Sequence, residues 1–148
     1  MIKVRQFLPK DFKKISEIAK ESFLHPWTDS YLRKVSQEHT NDILVAETAG
    51  KTVGYILGYI KPDKSGSIKI LAVDPNYREQ GVGGKLIETI VGKLKKEGAN
   101  EVFLKLRADN SVAYDFYGKL GFIKTKRIRK YFSNGDDAYI MRKKLMDG

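Results

Sequence analysis

Leu71-Ala72-Val73-Asp74-Pro75-Asn76-Tyr77-Arg78-Glu79-Gln80-Gly81-Val82-Gly83-Gly84 is the stretch on which the reading of this chain turns. Ser67 to Val73 reads as a strand, and the glycines that follow lead directly into the clearest helix of the sequence, predicted over 84–96. There Leu86, Ile87, Ile90, Val91 and Leu94 fall on one helical face, and Gly98 closes the element. A helix start leaves several backbone N–H groups without intrahelical partners at the positive end of the helix dipole. Glycines there hold no side chain between those amides and a pyrophosphate, and Arg78 adds a cation, so the stretch reads as an anion cradle. Its spacing matches neither the phosphate loop G-x-x-x-x-G-K-S/T nor the dinucleotide fingerprint G-x-G-x-x-G, because Leu86 stands three residues after Gly83.

Outward from this stretch, the elements alternate. Towards the N-terminus, Ile2, Val4 and Phe7 begin a strand, Pro9 starts a helix carrying Phe12, Ile15 and Ala19, and Thr28 N-caps a second helix. Ile43–Ala46 and Val53–Ile60 form a hairpin around Ala49-Gly50-Lys51, with a further turn at Asp63–Gly66. Towards the C-terminus, Glu101–Arg107 alternates as a strand, with Phe103, Lys105 and Arg107 on one side. Asn110 caps a helix with Ala113, Phe116, Tyr117 and Leu120 on one face, and two strands around Ser133-Asn134-Gly135 finish the chain. The order β α α β β β α β α β β predicts an α/β or α+β mixed-sheet fold, with the strands at 67–73 and 101–107 as parallel neighbours.

Length and composition bound the function. The 148 residues, 41% of them hydrophobic, suit one domain, with no repeat or linker to divide it. No apolar run is long enough for a membrane span, and the N-terminus has no secretory pattern. The absence of cysteine excludes a disulfide framework, a thiolate nucleophile and a Cys-type zinc site. His25 and His39 are too few for a histidine-rich metal centre, so no metal is expected and a reducing cytoplasm is. The net charge of +10 favours an anionic partner. Residues 124–144 carry Lys124, Lys126, Arg127, Arg129, Lys130, Arg142, Lys143 and Lys144 against Asp136 and Asp137, either a solvated strand pair or a docking patch for nucleic acid, ribosome or a phosphorylated cofactor.

Arg78-x-x-Gly81-x-Gly83 after Leu71-Ala72-Val73-Asp74-Pro75 resembles the acetyl-coenzyme A motif of the GNAT N-acetyltransferase superfamily. Arg107 to Phe122 resembles that family's R-x-x-N-x-x-A-x-x-x-Y-x-x-x-G-F block, so the resemblance covers nearly the whole chain. It implies the GNAT acyl-CoA N-acyltransferase fold, a central mixed sheet flanked by helices, with acetyl-CoA as cosubstrate. It further implies that Leu71, Ala72 and Val73 serve the pantetheine arm and thioester, and that Arg78, Glu79, Gln80, Gly81, Val82, Gly83 and Gly84 form the phosphate loop. Asn110 would contact the pantetheine arm, and Tyr117 would protonate the departing thiolate. Asn110 also reads as a plain N-cap, and Tyr117 as a core tyrosine.

Two further segments resemble the protein N-terminal acetyltransferases, which include the ribosomal-protein-alanine and N-alpha groups. Phe23-Leu24-His25-Pro26-Trp27-Thr28 is similar to their Pro-Trp loop, and Tyr131–Met141 to the aromatic hairpin that walls the peptide entrance. This implies Trp27, Tyr131 and Tyr139 as substrate-binding residues; a core plug and ordinary strand aromatics are the alternative readings. Lys105 stands where the bacterial ribosomal-protein enzymes carry a glutamate base. It is therefore expected either to tune charge or, desolvated, to accept a proton, unless it snorkels to solvent, and Tyr77 is the substitute base to examine. The expected function is acetyl transfer to the α-amino group of protein N-terminal peptides by direct attack, with ribosome association open and the oligomeric state unassigned. Acetylation of lysine side chains, polyamines or other small amines is the alternative, and a non-catalytic CoA-binding or ribosome-docking module the non-enzyme one.

Overall fold

The computed structural model describes residues 1–23 and 26–145. Its elements are β1 (Lys3–Gln6), α1 (Phe12–Ser22), α2 (Asp29–Glu38), β2 (Ile43–Thr48), β3 (Lys51–Ile60), β4 (Gly66–Val73), α3 (Val82–Lys96), β5 (Glu101–Arg107), α4 (Ser111–Lys119), β6 (Ile123–Ile128) and β7 (Ala138–Lys144). The seven strands form a mixed sheet in the order β1-β2-β3-β4-β5-β7-β6, with helices between them in sequence. The chain divides into two compact units, residues 1–58 with 70–92, and residues 59–69 with 93–148.

The first unit pairs β1, β2 and β3 antiparallel, with a bulge between Ala46 and Glu47. Ile15, Ile18, Leu32, Val45, Ile56, Leu57, Leu86, Ile87 and Ile90 are its buried core. Helix α1 begins at Phe12, after a 3-10 turn over Pro9–Asp11 rather than at Pro9 itself. The cause is Asp11: its carboxylate accepts the Leu8 N–H at 2.8 Å and two bonds from Arg5, at 2.8 and 2.9 Å, closing a tight turn before the helix. Burial alone would push this carboxyl's pKa up, but Arg5 and the Leu8 amide outweigh it and hold Asp11 below the ordinary carboxylate value. The Thr28 hydroxyl accepts the Tyr31 N–H, as a helix cap should.

Helix α3 starts two residues before the sequence-based boundary, at Val82. Val82 is 2% exposed, and its burial fixes the helix entry despite the glycines that follow. Gly54 on β3 makes room for it. A Cβ there would lie 3.0 Å from the Ala72 carbonyl oxygen, 3.1 Å from Val82 Cγ1 and 3.2 Å from Leu86 Cδ1. The glycine lets α3 and the end of β4 approach β3 as closely as they do.

In the second unit β4 pairs parallel to β5 over Gly66–Ile68, as the βα connection predicts. β5 pairs antiparallel to β7, and β7 to β6, which bulges at Lys124–Lys126. Leu94, Val102, Leu104, Leu106, Phe122 and Met141 form the core. Asn110 Oδ1 accepts the Ala113 N–H, and Gly121, at φ +95°, ends the α4 segment. The last two strands are separated by residues 129–137, more than a tight turn around 133–135. Asp137 explains the excursion by accepting from Arg127 at 2.7 Å and from the Lys130 N–H at 2.9 Å, while Arg107 reaches Asp136 at 2.9 Å.

Gly54→Ala should lower stability by about 1–3 kcal/mol, the usual cost of forcing an extra methyl group into a packed site. Urea unfolding measures it, and an unchanged midpoint would show that α3 and the Ala72 carbonyl yield freely.

Candidate functional site

Within the first unit, the end of β4 and the start of α3 are joined by a loop held from several sides. Asp74, 7% exposed, donates its N–H to the Val53 carbonyl at 2.8 Å, and its carboxylate accepts the Asn76 N–H at 2.9 Å. Its carbonyl accepts the Tyr77 N–H, closing a 3-10 turn over Pro75–Tyr77. The Val73 carbonyl accepts from the Ser22 hydroxyl at 3.2 Å and from Arg78 Nε at 3.4 Å, so two side chains converge on the strand end.

Beyond Arg78 the backbone turns left-handed at Glu79 (φ +60°) and again at Gly81 (φ +86°). The Lys85 N–H donates to the Gly81 carbonyl at 3.0 Å, so the amides of Val82, Gly83 and Gly84 precede the first N–H with an intrahelical acceptor. A Cβ on Gly84 would meet nothing within 4 Å. Glycine in a helix costs roughly 0.5–1 kcal/mol relative to alanine, and here no packing requires it. Open space before free amides at a positive helix end is the fit a diphosphate needs. The residues present therefore suit the pyrophosphate of coenzyme A.

The second unit holds Lys105, Asn110, Tyr117, Tyr131 and Tyr139. Phe103, Lys105 and Arg107 share a face of β5, opposite the buried Val102, Leu104 and Leu106. The Lys105 ammonium lies 5.1 Å from the centre of the Tyr131 ring. Arg107 stacks over Phe132 at 4.0 Å while it bonds Asp136, and thereby pins the 129–137 loop. Tyr131 and Tyr139 are not brought together. Tyr139 pairs with Leu106, on the face opposite Lys105, and packs against Tyr114 at 5.8 Å, with the Lys124 ammonium 4.6 Å from its ring.

Tyr117 is partly exposed as a residue, with its ring against Phe116 and Phe122. Burial around its hydroxyl pushes its pKa up to about 12, so the group stays protonated near neutral pH. Asn110 is an N-cap by geometry, which leaves its side-chain NH2 uninvolved in the cap. In the first unit, Trp27 is half-buried and meets Tyr31 edge-to-face at 5.0 Å, so it is no plug of a closed core; Leu24 and His25 of the same motif lie outside the described residues.

Sequence reasoning overlooked Gly54, Asp74 and Lys69. A lone glycine within a strand run and an Asp-Pro step were the available signals for the first two. Lys69 carried none, since only the parallel β4–β5 register brings its strand beside Lys105. Part of the basic C-terminal region is structural. Lys143 donates to the Leu120 carbonyl at 2.8 Å, and Arg127 anchors the loop through Asp137. Among the described residues no group of acidic or histidine side chains could hold a metal, and no helix is long and apolar enough to cross a membrane.

Comparison with known proteins agrees with this geometry. The model of the acetyltransferase (GNAT) family matches residues 12–122, and the chain belongs to that family. It is 36% identical over 117 residues to an N-alpha-acetyltransferase of Sulfurisphaera tokodaii, covering 71% of this chain and 70% of that one. Ard1 from Thermoplasma volcanium superposes with a TM-score of 0.92 at 29% identity over 99% of both chains. The ribosomal-protein-S18-alanine N-acetyltransferase of Escherichia coli superposes with a TM-score of 0.88 at 26% identity, over 100% of this chain and 97% of that one. The protein is an acetyl-CoA-dependent N-acetyltransferase.

Gly84→Val should leave the thermal midpoint unchanged or raised, since valine replaces a helical glycine in open space, yet weaken coenzyme A binding at least about tenfold. Gly81 is the poorer probe, because its positive φ would strain any replacement. Calorimetry with equal affinities for wild type and Gly84→Val would remove this turn from the cofactor site.

Proposed function

We propose that residues 1–148 act as one cytoplasmic N-acetyltransferase domain that moves acetyl from acetyl-CoA to the α-amino group of protein N-termini by direct attack. The observation that carries this is the cationic face of β5, where Lys105 stands beside Tyr131 and, among the described residues, forms no ion pair within 4 Å. Such a face repels a bound ammonium and offers no strong base, so it favours an acceptor that loses its proton readily. At pH 7, deprotonating a lysine of pKa about 10.4 costs about 4.6 kcal/mol, against about 1.4 kcal/mol for an α-amine near 8. The relatives named N-alpha- and ribosomal-protein-alanine acetyltransferases support the same acceptor.

When bound, acetyl-CoA supplies the activated acyl group. In this reading the Leu71–Val73 backbone aligns its arm, with Asn110 as a further contact, and Arg78 through Gly84 hold its phosphates. Trp27 and Tyr131 contact the acceptor peptide; Tyr139, turned to the other face, acts by packing against Tyr114. Tyr117, kept protonated by burial, donates to the departing thiolate. Lys105 tunes the charge met by the amine, and Tyr77 assists the proton's exit through water. Lys126, Arg129, Lys130 and Lys144, in no ion pair within 4 Å among the described residues, would favour a salt-sensitive association with ribosomes.

Thiol release tests the acceptor with free and N-blocked peptides, a lysine-only peptide and a polyamine. Free N-termini should react and blocked ones should not; acetyl found on lysine or polyamine while free N-termini stay unmodified would overturn the proposal. Tyr117→Phe should lower turnover about 10²-fold or more at unchanged coenzyme A affinity, and full turnover would make Tyr117 a packing residue.

A further inference from the structure

Lys69 is exposed and directly follows Ile68, the last paired residue of β4, whose partner Leu104 directly precedes Lys105 on β5. Ser67 and Phe103 are partners two residues earlier, which places Lys69 and Lys105 on one face of the ladder. Two aromatic rings flank them. The Lys69 ammonium lies 6.0 Å from the centre of the Tyr59 ring, and that of Lys105 lies 5.1 Å from the centre of Tyr131. Partial burial, then repulsion from Lys105 and Lys61, holds Lys69 below the ordinary lysine value.

Like charges held together are unfavourable, and a neighbouring carboxylate ordinarily relieves them. Here none does. Among the described residues no ion pair within 4 Å joins Lys61, Lys69 or Lys105 to an acid. The acids nearby in the fold are committed elsewhere: Asp136 to Arg107 and Asn134, and Asp63 to the Ser65 N–H and hydroxyl. Tyr131 is 46% exposed, so one wall of the cluster is open to an incoming ligand.

We propose that Lys69 and Lys105, flanked by Tyr59 and Tyr131, form a subsite for a side-chain carboxylate within the first two residues of the acceptor peptide. This rests on the reading of protein N-termini as acceptors, and it adds a selectivity for acidic ones. Two ammonium groups on one face of neighbouring strands can each take one oxygen of a carboxylate through a charge-assisted hydrogen bond. The rings suit the peptide backbone and exclude water from those bonds.

Calorimetry on the CoA-saturated protein, with N-acetylated seven-residue peptides, tests the subsite without relying on turnover. A peptide with Asp at its first or second residue should bind at least about tenfold more tightly than its Asn counterpart, the effect of one charge-assisted contact. A peptide with Asp only at the seventh residue should bind like the Asn peptide, which separates the subsite from general attraction to a basic protein. Lys69→Gln and Lys105→Gln should each bring the Asp-to-Asn ratio close to one, and Lys69→Arg should restore it. Equal affinities for Asp and Asn peptides, a preference that follows total charge wherever the Asp stands, or a preference kept in both Gln variants would overturn the proposal. So would weaker binding of coenzyme A alone in those variants, which would assign the lysines to the cofactor. Thiol release with the free-amine forms runs in parallel: its absence refutes N-terminal acetylation, whereas the binding ratio decides the subsite.

Discussion

The missing side chain at Gly54 sets how near α3 can come to the strands of its unit. Val82 and Leu86 fill the space a methyl group would take, and the Ala72 carbonyl sits 3.0 Å from where that Cβ would be. Everything at the cofactor end depends on this approach. Burial of Val82 fixes the first turn of the helix, the first turn presents three amides without intrahelical acceptors, and the left-handed Glu79 and Gly81 deliver the chain to that position. Asp74 finishes the scaffold by tying the loop to Val53 on β3. Rigid backbone donors suit a cofactor whose phosphates are fixed in charge, because their geometry needs no rearrangement on binding.

The proposed acceptor side obeys different physics. Where a carboxylate could take a proton, this chain has Lys105, and beside its strand Lys69. A cationic face cannot easily deprotonate an ammonium, but it destabilises one and attracts anions. For the proposed peptide acceptor, that exchange makes its intrinsic acidity and its charge decisive. Burial holds the Tyr117 hydroxyl protonated, the state that the proposed donation to a thiolate requires.

Much of this was legible in the sequence because local signals agreed with the fold. The strand, glycine turn and apolar helix face from Ser67 to Leu94 specify one βα unit, and Thr28 and Asn110 are caps whose side chains do what their residue types imply. What could not be read was set at long range. The helix start at Val82 follows from packing on Gly54, 28 positions earlier in the chain. The separation of Tyr131 from Tyr139 follows from the pairing of Leu106 with Tyr139 and from the loop that Arg107 pins. Strand parity was readable for Phe103, Lys105 and Arg107, yet which strands flank Lys105 depends on pairing and register, which no single segment contains.

The central claim is that backbone amides at the start of α3 hold the cofactor's phosphates. Titration of the isotope-labelled protein with coenzyme A, followed by amide chemical shifts, tests it most directly. The largest shifts should fall on Gly81 through Lys85, with the Val82, Gly83 and Gly84 amides moving as hydrogen-bonded donors and gaining protection from solvent exchange. Saturating coenzyme A that leaves those amides unshifted and unprotected, while residues elsewhere respond, would contradict the account.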